Sequence, residues 1–280
     1  MSSLSPVTPV KPAAAYLGGK RCLSRRLVEI IESVPHESYI EPFVGMGGVF
    51  LRRRSRPGCE VINDLSGDVA CFYRVVQEHY SAFMDMLRWQ VASREQFDRL
   101  MRQDPETLTD LRRAARFLYL QRAAYGGKVV GRNFGVSVGR PSRFNVTRLA
   151  RDLEDLHDRL AGVVIERLPW SKVIDRYDTP SSLFYLDPPY FGCERDYGAG
   201  AFSRDQFAEL AARLSLMKGR FILSLNDRPE VRALFSDFDI RSVTTVYGVA
   251  AGAREADEVI ITNGAPVPRD DRPKEPTRIA

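Results

Sequence analysis

Seven short apolar runs rich in Val, Ile, Phe and Tyr, at residues 38–44, 60–63, 163–168, 183–186, 220–225, 240–247 and 258–262, set the pattern of the chain. Runs of this length between turn signals read as strands buried on both faces. Helical segments separate several of them. After Ser203-Arg-Asp-Gln206, a capping-box spacing, Phe207, Leu210, Ala211 and Leu214 fall on one helical stripe. Strands alternating with helices need crossover connections, and crossovers build a mainly parallel open sheet with helices packed on it. The fold class expected is therefore α/β.

The alternation lapses between residues 65 and 160. There four helical stretches follow one another, at 68–78, 80–101, 108–125 and 146–160, and read as a helical insertion over 66–160 in a sheet domain of 13–65 and 161–264. Within the insertion, Tyr125-Gly126-Gly127 ends a helix and residues 131–139 read as a hairpin or loop. Residues 1–12, with three prolines, and 265–280, where proline alternates with charge, read as disordered tails. A chain of 280 residues with 44% hydrophobic content can build its core without disulfides or metals. Its four cysteines form no C-x-x-C pair, as suits a reducing cytoplasm, and His36, His79 and His157 lack ligand spacing, so no metal is expected. No apolar run is long enough to span a membrane, and none is expected as a partner.

The net charge of +5 matters only through its placement. Residues 111–151 hold ten Lys or Arg and no Asp or Glu, interleaved with Tyr125, Asn133, Phe134, Phe144 and Asn145. Basic residues mixed with aromatic and amide side chains suit phosphate and base-edge contacts, and Arg122, Lys128, Arg132, Asn133, Arg140 and Arg143 are the candidates for binding nucleic acid. A second basic run, Arg52, Arg53, Arg54 and Arg56, is explained well enough by a helix C-terminus whose dipole it offsets.

Residues 41–50 lie where the first strand hands over to a helix. Gly45 and Gly47 allow a tight turn and close approach of a ligand to the backbone there. The dinucleotide fingerprint needs a further glycine where Phe50 stands, which disfavours a nicotinamide enzyme. Asp64 follows the next strand, where a carboxylate can accept both hydroxyls of a ribose or cap the helix that begins near Ser66.

The run 183–186 delivers Asp187-Pro188-Pro189-Tyr190 to the carboxyl edge of the sheet. Two prolines stiffen the loop and bring no N–H donors, so the corner is rich in acceptors. An aromatic amine such as adenine N6 is a poor nucleophile because its lone pair is delocalised into the ring. If Asp187 and the Pro188 carbonyl accept its two N–H bonds, the nitrogen is drawn toward tetrahedral geometry, and Tyr190 offers a face for the base. Cytosine N4 has the same chemistry and stays open. Attack on cytosine C5 needs a thiolate, typically after proline, and none of the four cysteines follows one.

In order along the chain, Tyr16-Leu-Gly-Gly-Lys20, the Glu41 to Gly47 turn, Asn63-Asp64, Arg116-Phe-Leu-Tyr-Leu-Gln-Arg122, the 133–140 stretch and Asp187 to Tyr190 resemble the Dam-type (D12 class) DNA adenine-N6 methyltransferases. The likeness runs over about residues 15–263. It implies a Rossmann-like methyltransferase sheet, S-adenosyl-L-methionine as methyl donor, a helical target-recognition insertion and double-stranded DNA as partner. By that resemblance Tyr16, Lys20, Asp64 and Asp187 contact the donor, and Phe43, Gly45 and Gly47 shape its pocket. Asp187, Pro188, Pro189 and Tyr190 hold a flipped adenine. The protein is then expected to act as a monomer in the cytoplasm of a bacterial or phage-carrying cell. An RNA methyltransferase and an inactive nucleic-acid-binding module remain the alternatives. The family often has Trp where this chain has Tyr16 and a basic residue where it has Ala15, and its GATC specificity does not carry over to this shorter recognition segment.

Overall fold

The structure, a computed structural model, describes residues 4–20, 22–135, 139, 141–194, 202–249 and 252–264. Its strands are β1 (Ser5–Pro6), β2 (Ser38–Glu41), β3 (Ser55–Arg56), β4 (Cys59–Asn63), β5 (Val164–Glu166), β6 (Ser182–Leu186), β7 (Arg220–Asn226), β8 (Asp239–Val249) and β9 (Gly252–Thr262). The α-helices are α1 (Ser24–Ser33), α2 (Gly67–Glu78), α3 (Tyr80–Arg88), α4 (Arg94–Met101), α5 (Asp110–Ala123), α6 (Val146–Arg159), α7 (Trp170–Tyr177), α8 (Gln206–Ser215) and α9 (Pro229–Leu234). All seven apolar runs are strands of one sheet, in the order β5-β4-β2-β6-β7-β9-β8. Every neighbouring pair is parallel except those that β9 makes, antiparallel to both β7 and β8. The strand order reverses between β2 and β6, and such a switch point opens a crevice at the carboxyl ends of the two strands.

The apolar runs alternate between two cores. On one face Tyr39, Ile62, Leu183, Tyr185 and Ile222 join a cluster with α1, α2 and the helices that follow, while Ile40, Val61, Phe184, Leu186 and Leu223 meet α7, α8 and α9 on the other. Both faces are covered, which is why these strands are apolar throughout. The connection from β4 to β5 carries α2 to α6. Its side chains Phe72, Phe83, Phe117 and Leu153 belong to the same cluster as the sheet residues Tyr39 and Ile62, so the insertion shares the core of the sheet.

Three expectations need correction. Residues 4–12 are no disordered tail: β1 pairs with β3, the Val7 and Val10 amides donate to the Arg54 and Leu51 carbonyls at 2.8 and 2.7 Å, and Val10 is buried. Proline does not bar edge pairing, and Val10 finds an apolar seat that local composition does not reveal. The helix expected over 80–101 is two helices, α3 and α4, with a new start at Ser93, whose hydroxyl accepts the Gln96 amide at 3.1 Å. Nor does the basic run at 52–56 end an α-helix. Arg53 is fully buried, stacked 3.8 Å from the Tyr39 ring centroid and paired with Glu60 at 2.6 Å. Of the 131–139 hairpin, the described residues show one antiparallel bridge, Ala124 to Phe134; Val136 to Val138, the 265–280 tail and Arg140 lie outside them.

Candidate active site

A cleft of about 1910 Å³ opens at the switch point between β2 and β6. Its floor comes from the turns after β2, β4 and β6, and one wall comes from the 121–148 part of the insertion. Tyr16, Lys20, Phe43, Gly45, Asp64, Asp187 and Pro189 all line it, so residues far apart in sequence meet there.

At the β2 end, Gly45 has φ +49°, and a Cβ on it would stand 3.0 Å from the Tyr16 ring. The ring therefore packs closely against a backbone that only glycine leaves bare. Gly47, φ +73°, faces the other way. A Cβ there would collide with Leu51 at 2.8 Å and meet the Tyr73 hydroxyl at 3.0 Å, so this glycine packs against the core behind the turn. Asp64 ties the two turns together, accepting the Gly45 amide at one carboxylate oxygen and the Ser66 amide at the other, each at 2.9 Å. Burial outweighs these two hydrogen bonds and pushes its pKa up to about 6. Asn63 braces the same turns: its amide donates to the Pro42 and Leu168 carbonyls and its oxygen accepts the Leu168 amide. Phe43 makes an edge contact with Phe202, ring centroids 5.9 Å apart.

At the β6 end, Asp187 Oδ1 accepts from Lys20 Nζ at 2.8 Å and from the Ser224 hydroxyl at 3.2 Å, with Tyr185 Oη 2.9 Å from that same hydroxyl. Asp187 Oδ2 and the Pro188 carbonyl accept nothing from the described residues. Burial raises the Asp187 pKa to about 6; the Lys20 ammonium opposes the rise and the Glu258 charge adds to it. Lys20 is buried, and its ammonium also donates to the Tyr190 hydroxyl and lies 3.4 Å from Glu258 Oε2, to which that hydroxyl donates in turn. Its donors face the Asp187 corner rather than the Asp64 end. Tyr190 is half-buried and is not among the residues lining the cleft. The loop is fastened beyond it, where Asn226 accepts the Phe191 amide at 3.0 Å and donates to the Phe191 carbonyl at 2.9 Å. Glu41, buried at the end of β2, is raised to about 8, first by burial and further by Asp187, against the hydrogen bond from the Tyr39 hydroxyl; at neutral pH it is mostly uncharged.

Sequence reasoning missed Ser224, Asn226 and Glu258. Asn226 ends β7, Glu258 faces it in register on β9, and no local pattern announces that pairing. Ser224 carries a weak signal, a hydroxyl inside the apolar run 220–225.

The basic stretch divides in two. Arg113 pairs with Asp68 and Glu106, each at 2.7 Å, and Arg116 is buried with its Nε on the Leu100 carbonyl. Arg122 donates to the Ala13 and Arg143 carbonyls, and Arg132 to the Lys128 carbonyl and the Gln121 side chain. Burial lowers the pKa of both. These four hold the insertion together. Lys128, Asn133, Arg143 and Arg148 are exposed, and Arg143 and Arg148 stand on the cleft wall with the exposed Tyr125. Among the described residues no group of three His, Cys, Asp or Glu side chains is placed to hold a metal ion.

The family model for D12 class N6 adenine-specific DNA methyltransferases matches residues 16–249. The chain is 23% identical over 233 residues to the type II methyltransferase M.CviBI of Paramecium bursaria Chlorella virus NC1A, covering 82% of this chain and 88% of that one. It is 29% identical over 208 residues to the type II methyltransferase M.MjaIII of Methanocaldococcus jannaschii, covering 65% and 69%. With the retron Ec67 DNA adenine methylase of Escherichia coli it shares 25% over 269 residues, 89% of this chain and 90% of that one.

Proposed function

Because the chain belongs to the D12 class N6 adenine-specific DNA methyltransferase family, we propose that the two ends of its cleft are the donor and acceptor sites of site-specific adenine methylation in double-stranded DNA. The family implies S-adenosyl-L-methionine as donor, and the β2 end suits that molecule. Tyr16, packed against Gly45 and lining the cleft, offers an aromatic surface to a flat ring, and each Asp64 oxygen, already holding one amide, keeps a lone pair for a ribose hydroxyl. When bound, the donor supplies an electrophilic sulfonium methyl group.

The observation that carries the acceptor assignment is the asymmetry of Asp187. Lys20 and Ser224 occupy Oδ1, while among the described residues nothing donates to Oδ2 or to the Pro188 carbonyl, and Asp187 and Pro189 line the cleft. Two acceptors on a proline-stiffened loop match the two N–H bonds of an exocyclic amine. They hold the adenine N6 lone pair pointed across the cleft, and they attract the nitrogen more strongly as it becomes positive. Tyr190 lies beside the cleft rather than in its lining, with the Lys20 ammonium 4.1 Å from its ring centroid and its hydroxyl held by Lys20 and Glu258, and in this reading the incoming base meets the part of the ring left exposed. An amine inside a duplex is out of reach of this corner, so the adenine is flipped, at a cost of a few kcal/mol. Lys20 thus stands beside the acceptor corner, held to Asp187. Lys128, Arg143 and Arg148 contact phosphates, and the protein works as a monomer in the cytoplasm of a bacterial or phage-carrying cell.

The test is methyl transfer from labelled donor to duplex DNA, single-stranded DNA and structured RNA, with modified nucleosides identified by mass spectrometry. N6-methyladenine arising in duplex DNA is expected. N4-methylcytosine, or RNA as the preferred acceptor, would overturn the reading.

A further inference from the structure

Glu258 is a buried carboxylate on a strand whose next residues, Val259, Ile260 and Ile261, are wholly core. A carboxylate in such a place is costly unless it is paired and hydrogen-bonded, and an apolar residue in its place would only deepen the core. Its Oε2 accepts the Tyr190 hydroxyl and lies 3.4 Å from the Lys20 ammonium, which in turn touches Asp187 at 2.8 Å. Two carboxylates therefore share one buried cation, and the tyrosine hydroxyl lies between that cation and Glu258. The arrangement exists because β9 runs antiparallel to β7, which brings Glu258 beside Asn226 at the carboxyl end of the sheet.

We propose that Glu258 is a positioning residue for methyl transfer: it holds Tyr190 by its hydroxyl and draws part of the Lys20 charge away from Asp187, keeping Asp187 Oδ2 a strong acceptor. The inference rests on the acceptor assignment made above. Without the Glu258 charge, Lys20 would serve Asp187 alone, polarising its carboxylate and weakening Oδ2 toward the amine. The Tyr190 hydroxyl would also lose its negative partner. The other ionisable or polar groups at this corner are Glu41 at the end of β2, Tyr185 on β6 and Ser224 on β7. Asp257, next to Glu258 on β9, is turned to the opposite side and accepts the Thr244 hydroxyl at 3.1 Å.

The experiment compares Glu258→Gln with the wild-type full-length protein. The amide still accepts from Tyr190 but carries no charge. Expected are a kcat about 10–100-fold lower, as for loss of one charge-assisted contact, and donor affinity by calorimetry within about twofold. The acidic limb of the kcat–pH profile should move to lower pH, because the Glu258 charge helps hold the Asp187 pKa up. Glu258→Asp, which restores the charge, should return the limb to its wild-type position. A Glu258→Gln variant with native kcat, an unmoved limb or weakened donor binding would each overturn the proposal; a lowered melting temperature with an unmoved limb would mean a structural role only. If Glu258→Gln fails to fold, Tyr190→Phe carries the test: it removes the hydroxyl by which Glu258 holds the ring, should lower kcat with donor affinity unchanged, and native kcat would overturn the proposal. A wild-type protein that methylates no adenine refutes the acceptor assignment instead, so the two failures are distinguishable.

Discussion

Replacing Asp187 by alanine separates catalysis from stability, because the structure makes opposite demands on this side chain. Oδ1 is held by Lys20 and Ser224, and Oδ2 accepts from none of the described residues, which in the proposed reading leaves it for the amine. As the bond from nitrogen to methyl forms, the sulfonium–methyl bond breaks and a neutral thioether leaves; the nitrogen carries positive charge until it loses an N–H proton, so the acceptor contact is stronger in the transition state than with bound substrate. Removing one preorganised contact of that kind costs about 2.7–4 kcal/mol, or 10²–10³ in kcat. Asp187→Ala should therefore lower kcat at least about 100-fold. Donor affinity should change little, since Asp64 and Gly45 are attached to other strands. Stability should go the other way. Burial raises the Asp187 pKa from 3.8 to about 6. A carboxyl whose folded-state pKa lies above its unfolded value binds more protons when folded between about pH 4 and 6, so its contribution to stability falls as pH rises through that window. At pH 8 the ionised side chain costs roughly 3 kcal/mol, from about two pKa units at about 1.4 kcal/mol each. The alanine variant escapes this cost, while Lys20 keeps Glu258 and Tyr190 as partners. Its melting temperature at pH 8 should equal or exceed that of the wild type, and its stability should depend less on pH between about 4 and 6. The assay is single-turnover transfer of tritiated methyl groups at saturating donor and DNA, paired with thermal melts across that pH range. A folded variant with turnover within a few-fold of wild type would remove Asp187 from the chemistry. Lost activity accompanied by a collapse in melting temperature would make it a structural residue.

Asp64→Ala removes the shared acceptor of the Gly45 and Ser66 amides together with the ribose contacts, and should weaken donor binding by calorimetry about 10–1,000-fold; unchanged affinity would place the donor elsewhere. The basic residues should sort by their partners. Lys128→Gln with Arg143→Gln should flatten the salt dependence of DNA binding by about two units of slope. Arg122→Met and Arg132→Met should instead each cost about 1–2 kcal/mol of stability by leaving a partly buried acceptor unpaired, the Ala13 carbonyl and the Gln121 side chain respectively, and the reverse assignment of slopes and melts would refute the division. Deleting residues 1–12 removes β1 and the buried Val10, and should cost about 2–4 kcal/mol. An unchanged melting temperature would mean that this segment adds no stability.

The strands were legible because a sheet covered on both faces writes uninterrupted apolar runs into the chain, and because crossovers leave helices between them. The Asp187 to Tyr190 corner stood out for a related reason: two prolines between an acid and an aromatic stiffen a loop and bring no N–H donors to it. Legibility failed where the deciding partner was remote. Arg122 and Arg132 look like neighbours of Lys128 in a basic stretch, yet each directs its donors to groups of the protein, Ala13 and Gln121 among them. Residues 4–12 look like a tail because nothing local shows that Leu51 and Arg54 offer carbonyls to them. By contrast, the break before α4 does carry a local signal, since Ser93 and Gln96 have the spacing of a capping box.

The sequence by itself determined which residue types stand at the ends of the strands: the glycine turn, Asp64, and the Asp187 to Tyr190 corner are local motifs whose chemistry does not depend on what surrounds them. Only the tertiary structure decided how those groups are tuned. Burial raises Asp64 and Asp187, Lys20 is divided between Asp187 and Glu258, and an antiparallel strand near the end of the chain delivers Glu258 to a corner built some seventy residues earlier. Proton affinity and hydrogen-bond direction depend on distances of a few ångströms between segments, and such distances are fixed by packing, which a linear pattern does not encode.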